Sequence, residues 1–124
     1  MDKIDDRYDI AKDILFEAGD AFDVGAVAAA QTPWWNRTLC AVNESVVRLA
    51  VIEGEFHWHK HDDEDEFFYV VEGRLGIDIQ GGESVELEPT QAYVVPRGVV
   101  HRTRAQGRTS ILMVEKASVT PTGD

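Results

Sequence analysis

Three of the chain's four histidines stand at alternate positions in one stretch, His57-Trp58-His59-Lys60-His61. Imidazole ligates transition metals and carries a proton that comes and goes near neutral pH, so the cluster points to a metal site, to proton transfer, or to both. Along a β-strand successive side chains alternate between faces, which puts His57, His59 and His61 on one side and Trp58 and Lys60 on the other. A helix would scatter them, so the spacing predicts an extended segment. At a rise of about 3.3 Å per residue His57 and His61 are roughly 13 Å apart, too far to share one ion, whereas neighbours in the run are about 6.6 Å apart. One ion can take a single adjacent pair. His59 belongs to either pair, and spacing alone leaves open whether His57 or His61 is its companion.

A set of this kind needs a scaffold, and from Arg37 onward the sequence reads as short strands between turn signals. Arg37–Val42 ends at Asn43-Glu44, Ser45–Ile52 ends at Glu53-Gly54, and Glu55–His61 runs into the acidic stretch Asp62–Glu66. Phe67–Gly73, Arg74–Gln80 and Ser84–Glu88 follow, with Leu75, Ile77 and Ile79 on one face and Gly81-Gly82 as a turn. Ala92–Pro96, Val99–Arg104 and Thr109–Glu115 complete the series. Roughly eight strands with tight turns and no helical period between them predict an all-β fold, a small jelly-roll barrel. The first 36 residues differ. Ile10, Ile14, Leu15 and Phe22 fall at roughly helical spacing before and after the breaker Gly19, which predicts a short helix or arm over 1–36, pinned by Trp34 and Trp35 to the barrel domain of 37–124 or to a partner subunit.

The stretch Gly54–Arg74 resembles the first cupin motif, in which an H-x-H pair is followed by Glu and then by Gly. His59, His61, Glu66 and Gly73 fit it, with four residues between His61 and Glu66. Pro96, Gly98 and His101 resemble the second motif, P-x-G-x-x-H. The resemblance covers about residues 44–123 and is closest to small stand-alone cupins, often labelled mannose-6-phosphate-isomerase-like, whose C-terminal tails are similar. Two positions depart from the pattern: Thr90 stands where the second motif usually opens with Gly, and Ala105 where it closes with Asn. Neither is a ligand position.

The resemblance implies a cupin double-stranded β-helix in which His59, His61, Glu66 and His101 hold one divalent transition metal inside the barrel. Imidazoles and a carboxylate without a thiolate suit Fe, Mn, Ni, Co or Zn at a site with open positions, rather than a sulfur-rich structural zinc site. Asp65 is the alternative ligand if the loop is a residue tighter. Strand parity turns His57 toward the interior as a catalytic acid or base or as a packed, hydrogen-bonded histidine, and assigns Phe68, Val70 and Thr103 to the substrate pocket. Arg97 stands at the mouth. The family range implies a metal-dependent enzyme on a small polar metabolite, with a dioxygenase-type oxidoreductase first. The alternatives are an isomerase, epimerase or lyase of a sugar-like or keto-acid substrate, and a non-catalytic binding or sensing module.

Composition sets the remaining bounds. With 12 basic and 23 acidic side chains the net charge is −11, which repels phosphate and argues against nucleic acid or an anionic membrane as partner. Cys40 is alone, so no intramolecular disulfide forms, and its apolar neighbours read as core rather than as a reactive thiol. The N-terminal residues lack a basic start followed by an apolar run. A cytoplasmic protein is expected, and a homodimer, because an arm is one way to cover an open strand edge.

Overall fold

The computed structural model describes residues 8–124. β1 (Asp9–Ile14) runs parallel to β2 (Trp35–Val42), and β2 pairs antiparallel with β3 (Ser45–Glu55). The segment whose spacing predicted a helix is therefore a strand at its start. Its apolar residues do not form one buried face: Ile10 packs inward against the barrel core, whereas Ile14 is 54 % exposed. Arg37 fastens β1 by donating from Nη1 to the Asp9 carbonyl and from Nη2 to the Asp9 carboxylate, 2.9 Å each. The short helix comes later, as α1 (Val24–Ala29), where the Asp23 carboxylate accepts from the Ala26 amide and satisfies one orphan donor of the first turn.

β3 pairs with β8 (His101–Lys116), β8 with β4 (Glu66–Glu72), and β4 with β7 (Ala92–Val95), giving the order β1-β2-β3-β8-β4-β7. β5 (Leu75–Ile79) pairs with β6 (Val85–Leu87) and with the first part of β8. Two predicted strands, Val99–Arg104 and Thr109–Glu115, merge into β8. The intervening Gln106-Gly107 is no break: Ile52 faces Thr109 and Gly54 faces Ala105, so the extra residues form a bulge that bends one long strand. Its first half pairs β5 and its second half pairs β4, which is how a single strand joins both parts of the barrel.

Alternation along these strands divides the apolar residues between two clusters. Ala50, Ile52, Phe68, Val70, Leu75, Ile77, Ile111 and Met113 fill the barrel with Trp34. Leu49 and Val51, one residue out of phase, point outward and are covered by α1, Trp35 and Leu39, together with the stacked pair Phe16 and Phe22, whose rings are 4.4 Å apart. The adjacent tryptophans thus anchor the arm on opposite faces of the chain's own sheet.

Two turns matter for the motifs. Gly73 adopts φ +91°, and a Cβ there would stand 2.8 Å from the Thr109 Cα, so the turn between β4 and β5 accepts only glycine. Thr90 adopts φ +73°, a left-handed conformation that a β-branched residue rarely takes, with its amide donating to the Val70 carbonyl at 2.8 Å. The second-motif position usually held by Gly is therefore one whose backbone calls for Gly.

Candidate metal centre

β3 stops at Glu55, and the histidine run lies beyond it without regular strand pairing, contrary to the expectation of a continuous strand through His61. One bridge fixes it. His59 and His101 exchange two backbone hydrogen bonds, N to O at 2.9 and 2.8 Å, and the Gly98 amide donates to the His61 carbonyl at 2.8 Å. The two motifs, about forty residues apart in sequence, are thereby held side by side. Alternation still holds locally: Trp58 is turned out to solvent and stacked under Arg102, whose guanidinium carbon is 4.9 Å from the ring, while His59 and His61 turn inward.

Each of His59, His61, Glu66 and His101 offers one ligand atom, and these atoms all lie within 4.8 Å of one another. His57 is outside the cluster, so the open choice of companion for His59 falls to His61 in this geometry. The His59 Nδ1 is 3.1 Å from the His57 carbonyl and the His101 Nδ1 is 2.9 Å from the Val99 carbonyl. A carbonyl only accepts, so both Nδ1 atoms carry the hydrogen and both Nε2 lone pairs are left for a metal. His61 Nε2, His101 Nε2 and Glu66 Oε1 are buried and have no well-formed hydrogen bond among the described residues. The 3.3 and 3.5 Å separations of the two imidazoles from that carboxylate oxygen are contacts of groups converging on one point. Buried polar atoms are normally satisfied, and a divalent ion at that point would satisfy all three.

The electrostatics suit a cation. Burial and the neighbouring His101 hold the His59 pKa down at about 4, so this ligand is neutral at pH 7. Burial opposes ionisation of Glu66, but His101 and His61 outweigh it and hold the carboxyl at about 2. Burial likewise disfavours a charged His61, yet the Glu66 carboxylate prevails and raises its pKa above the ordinary histidine value.

Behind Glu66 lies a second buried acid. Burial and the Glu66 charge push the Glu115 carboxyl up to about 8, against the lowering influence of Arg48, whose Nε is 3.8 Å from Glu115 Oε1. Arg48 is itself 2 % exposed and directs its donors to Asn36 Oδ1, Thr38 Oγ1 and the Ala11 carbonyl.

Above the cluster is a cavity of about 40 Å³ whose walls include Ile10, Trp34, Phe56, Phe68, Met113 and Pro121. His59 and Glu66 form part of its lining, with Asn36 and Thr103. Of the residues expected in a pocket, Phe68 and Thr103 line it, whereas Val70 is buried in the core and is not part of the lining. Arg97 is exposed and occupied with Asp65, its amide donating to that carboxylate at 2.9 Å, so neither residue reaches the cluster. His57 is half-buried beside Phe56, and its Nε2 donates to the Thr122 carbonyl at 2.7 Å. The C-terminal residues pass over the histidine run: the Asp124 amide donates to the Lys60 carbonyl at 2.9 Å.

A model of the Cupin domain matches residues 45–115, more than half of the chain and both motifs. The chain belongs to the cupin family. This cupin is 46 % identical over 80 residues, 64 % of its length, to the uncharacterized protein YdbB of Bacillus subtilis, of which the match spans 71 %. A crystal structure of a cupin-2 domain containing protein from Shewanella frigidimarina superimposes with a TM-score of 0.69 at 33 % identity, covering 74 % of this chain and 89 % of that one. The hydroquinone 1,2-dioxygenase of Sphingomonas sp. TTNP3, solved with 4-hydroxybenzoate bound, shares the fold at 17 % identity, with a TM-score of 0.65 over 76 % of this chain and 72 % of that one.

Sequence reasoning passed over three parts of the cupin's site. Arg48 and Glu115 carry a signal in retrospect, because each is a charged residue in phase with inward apolar ones, Ala50 and Ile52 in one strand, Ile111 and Met113 in the other. Asn36 and the wall residue Trp34 come from the arm, whose placement depends on the β1–β2 pairing. The tail Pro121–Gly123 belongs to the stretch that resembles other small cupins, but its position against His57 and His59 is a tertiary matter.

Proposed function

We propose that this cupin is a metal-dependent enzyme acting on a small molecule by dioxygenase-type chemistry. The observation that carries the reading is that His59 and Glu66 belong both to the four-residue cluster and to the cavity lining. An ion held by His59, His61, Glu66 and His101 would thus meet the cavity on one side. When bound, such an ion supplies Lewis acidity and, if it is iron, one-electron redox chemistry. The chain's own contribution is positional. The carbonyls of His57 and Val99 fix two imidazoles through Nδ1, Glu66 supplies the negative charge, and the apolar wall excludes water from the face where a substrate would bind.

Elemental analysis of natively purified protein, followed by oxygen uptake with catechols, keto acids and small carbonyl compounds, tests the reading. One transition metal per chain with uptake on one of these classes is expected. Turnover without oxygen would replace it by an isomerase or lyase, and tight binding without turnover by a sensing module. No helix among the described residues is long and apolar enough to cross a membrane. We further propose a cytoplasmic homodimer, on the grounds of the unpaired Cys40 and of the outer edge of β1, which pairs with no other strand among the described residues.

A further inference from the structure

The cavity above the cluster measures about 40 Å³. That is room for a few waters, which need about 10–15 Å³ each, and well short of the roughly 150 Å³ that a benzene-sized molecule fills. A guest of more than a few heavy atoms therefore reaches His59 and Glu66 only when part of the wall moves. The wall is unequal in its ties. Its described members other than Pro121 stand in β1, β2, β3, β4 or β8, or are bonded to a strand through the backbone, as Trp34 is to Asp9, Phe56 to Thr103 and His59 to His101. Pro121 differs, because its segment, residues 117–124, pairs with no strand among the described residues.

We infer that residues 117–124 form a strap that lifts to let a guest into the cavity, with Val119 as its pivot and His57 as its latch. Val119 is buried and its amide donates to the Lys116 carbonyl at 3.0 Å, so the near end turns tightly out of β8 and stays anchored. The far end is fastened to the histidine run and the residue after it. His57 Nε2 donates to the Thr122 carbonyl at 2.7 Å, the Asp124 amide to the Lys60 carbonyl at 2.9 Å, and the Asp62 amide to the Asp124 carboxylate at 2.6 Å. The Gly123 amide turns back to the Thr120 carbonyl at 2.9 Å, a bond that stays within the strap. Such a segment opens by giving up a few hydrogen bonds while the sheet stays whole, which is how local opening proceeds. Pro121 then leaves the wall that it shares with His59 and Glu66. His57 is a positioning residue that acts through the strap. It lies outside the metal cluster, and the lifting needs no ion, so the inference goes beyond the proposed metal reading without depending on it.

A thiol placed in the wall reads the gate. In the metal-free full chain, Cys40→Ala removes the native thiol and Met113→Cys puts one in the cavity lining. Its reaction with 4,4′-dithiodipyridine, an uncharged two-ring disulfide, is followed by absorbance, and slow labelling of this parent is expected. One lost hydrogen bond shifts an opening equilibrium by roughly two- to tenfold, so His57→Phe and Asp124→Ala are each expected to speed labelling by about that factor, and both together by more. Arg37→Ala loosens β1, and with it Ile10 on another part of the wall, and is expected to leave the rate unchanged. Thr103→Cys replaces the reporter if Met113→Cys does not fold, and Asp124→Ala decides alone if His57→Phe does not. Parent labelling as fast as that of the unfolded chain, a rate untouched by the strap variants, or a larger acceleration in Arg37→Ala overturns the inference. So does an acceleration that hydrogen exchange of the buried Val51 amide matches, since the whole barrel would then have loosened. Because no metal is present, failure of the metal reading leaves this outcome unaffected.

Discussion

Gly123 lies so close to His59 that a Cβ on the glycine would stand 2.5 Å from the histidine's own Cβ, and the glycine's φ is +99°. Space and backbone both exclude a side chain there. The tail is thus fitted to the back of a cluster histidine, with Thr122 on His57 and Asp124 on Lys60 to either side. Gly123→Val is expected to lift the tail and loosen His59, weakening zinc binding by about tenfold or more, the usual scale for lost support of a ligand. Competition titration against a chromogenic chelator measures it. An unchanged affinity would mean that the tail only covers the site.

Metal content separates the histidines. His59→Ala and His61→Ala are expected to lose bound metal, and His57→Phe to retain it, because His57 stands outside the cluster and is paired with Thr122. The opposite pattern, metal lost from His57→Phe and kept in His61→Ala, would transfer the site to the other histidine pair. With a substrate in hand, a 10²- to 10⁴-fold fall in turnover of His57→Phe marks a proton-transfer group, and an unchanged rate marks an anchor for the tail.

How far the sequence foretold this arrangement depends on the range over which each signal acts. The strands from Arg37 on follow from period-two alternation and turn residues, both local. The joining of His59 with His101 followed from resemblance to two motifs, since spacing within His57–His61 could not choose between pairs. The arm misled because Ile10, Ile14, Leu15 and Phe22 imitate a helical period while β1 pairing takes the backbone. Arg48 and Glu115 were passed over because charged residues in strands usually face water, and these two face each other inside.

Thr90 offers a test of backbone strain. Its left-handed φ costs a residue with a Cβ about 1–2 kcal/mol, and glycine returns part of this to the unfolded chain as extra entropy. Thr90→Gly is expected to raise stability by about 0.5–1 kcal/mol, read as a higher urea midpoint at unchanged slope. A lower midpoint would show that the threonine side chain does more than tolerate the turn.

Light scattering is expected to give twice the chain mass of 13.8 kDa. A single-chain mass at high concentration would leave the edge of β1 open in solution and dismiss the homodimer.

The last prediction concerns Glu115, whose carboxyl burial and Glu66 push up to about 8. A folded-state value above the unfolded one means that the folded protein keeps a proton the unfolded chain releases. Stability from this group is then complete below the unfolded value of about 4.5 and is lost as pH rises toward 8. His61, also raised, acts with the same sign, while His59, lowered to about 4, costs stability as pH falls below 6.5. Total curves therefore mix opposing slopes, and the difference between two proteins isolates one group. Glu115→Gln carries a permanently neutral side chain of the same shape. In the metal-free state its stability is expected to match wild type near pH 4 and to exceed it increasingly toward pH 8.5, measured as urea midpoints in the presence of chelator. If wild type is instead the more stable protein at pH 8.5, Glu115 is ionised and paired with Arg48, and the buried pair behind Glu66 is a salt bridge rather than a neutral acid beside a cation.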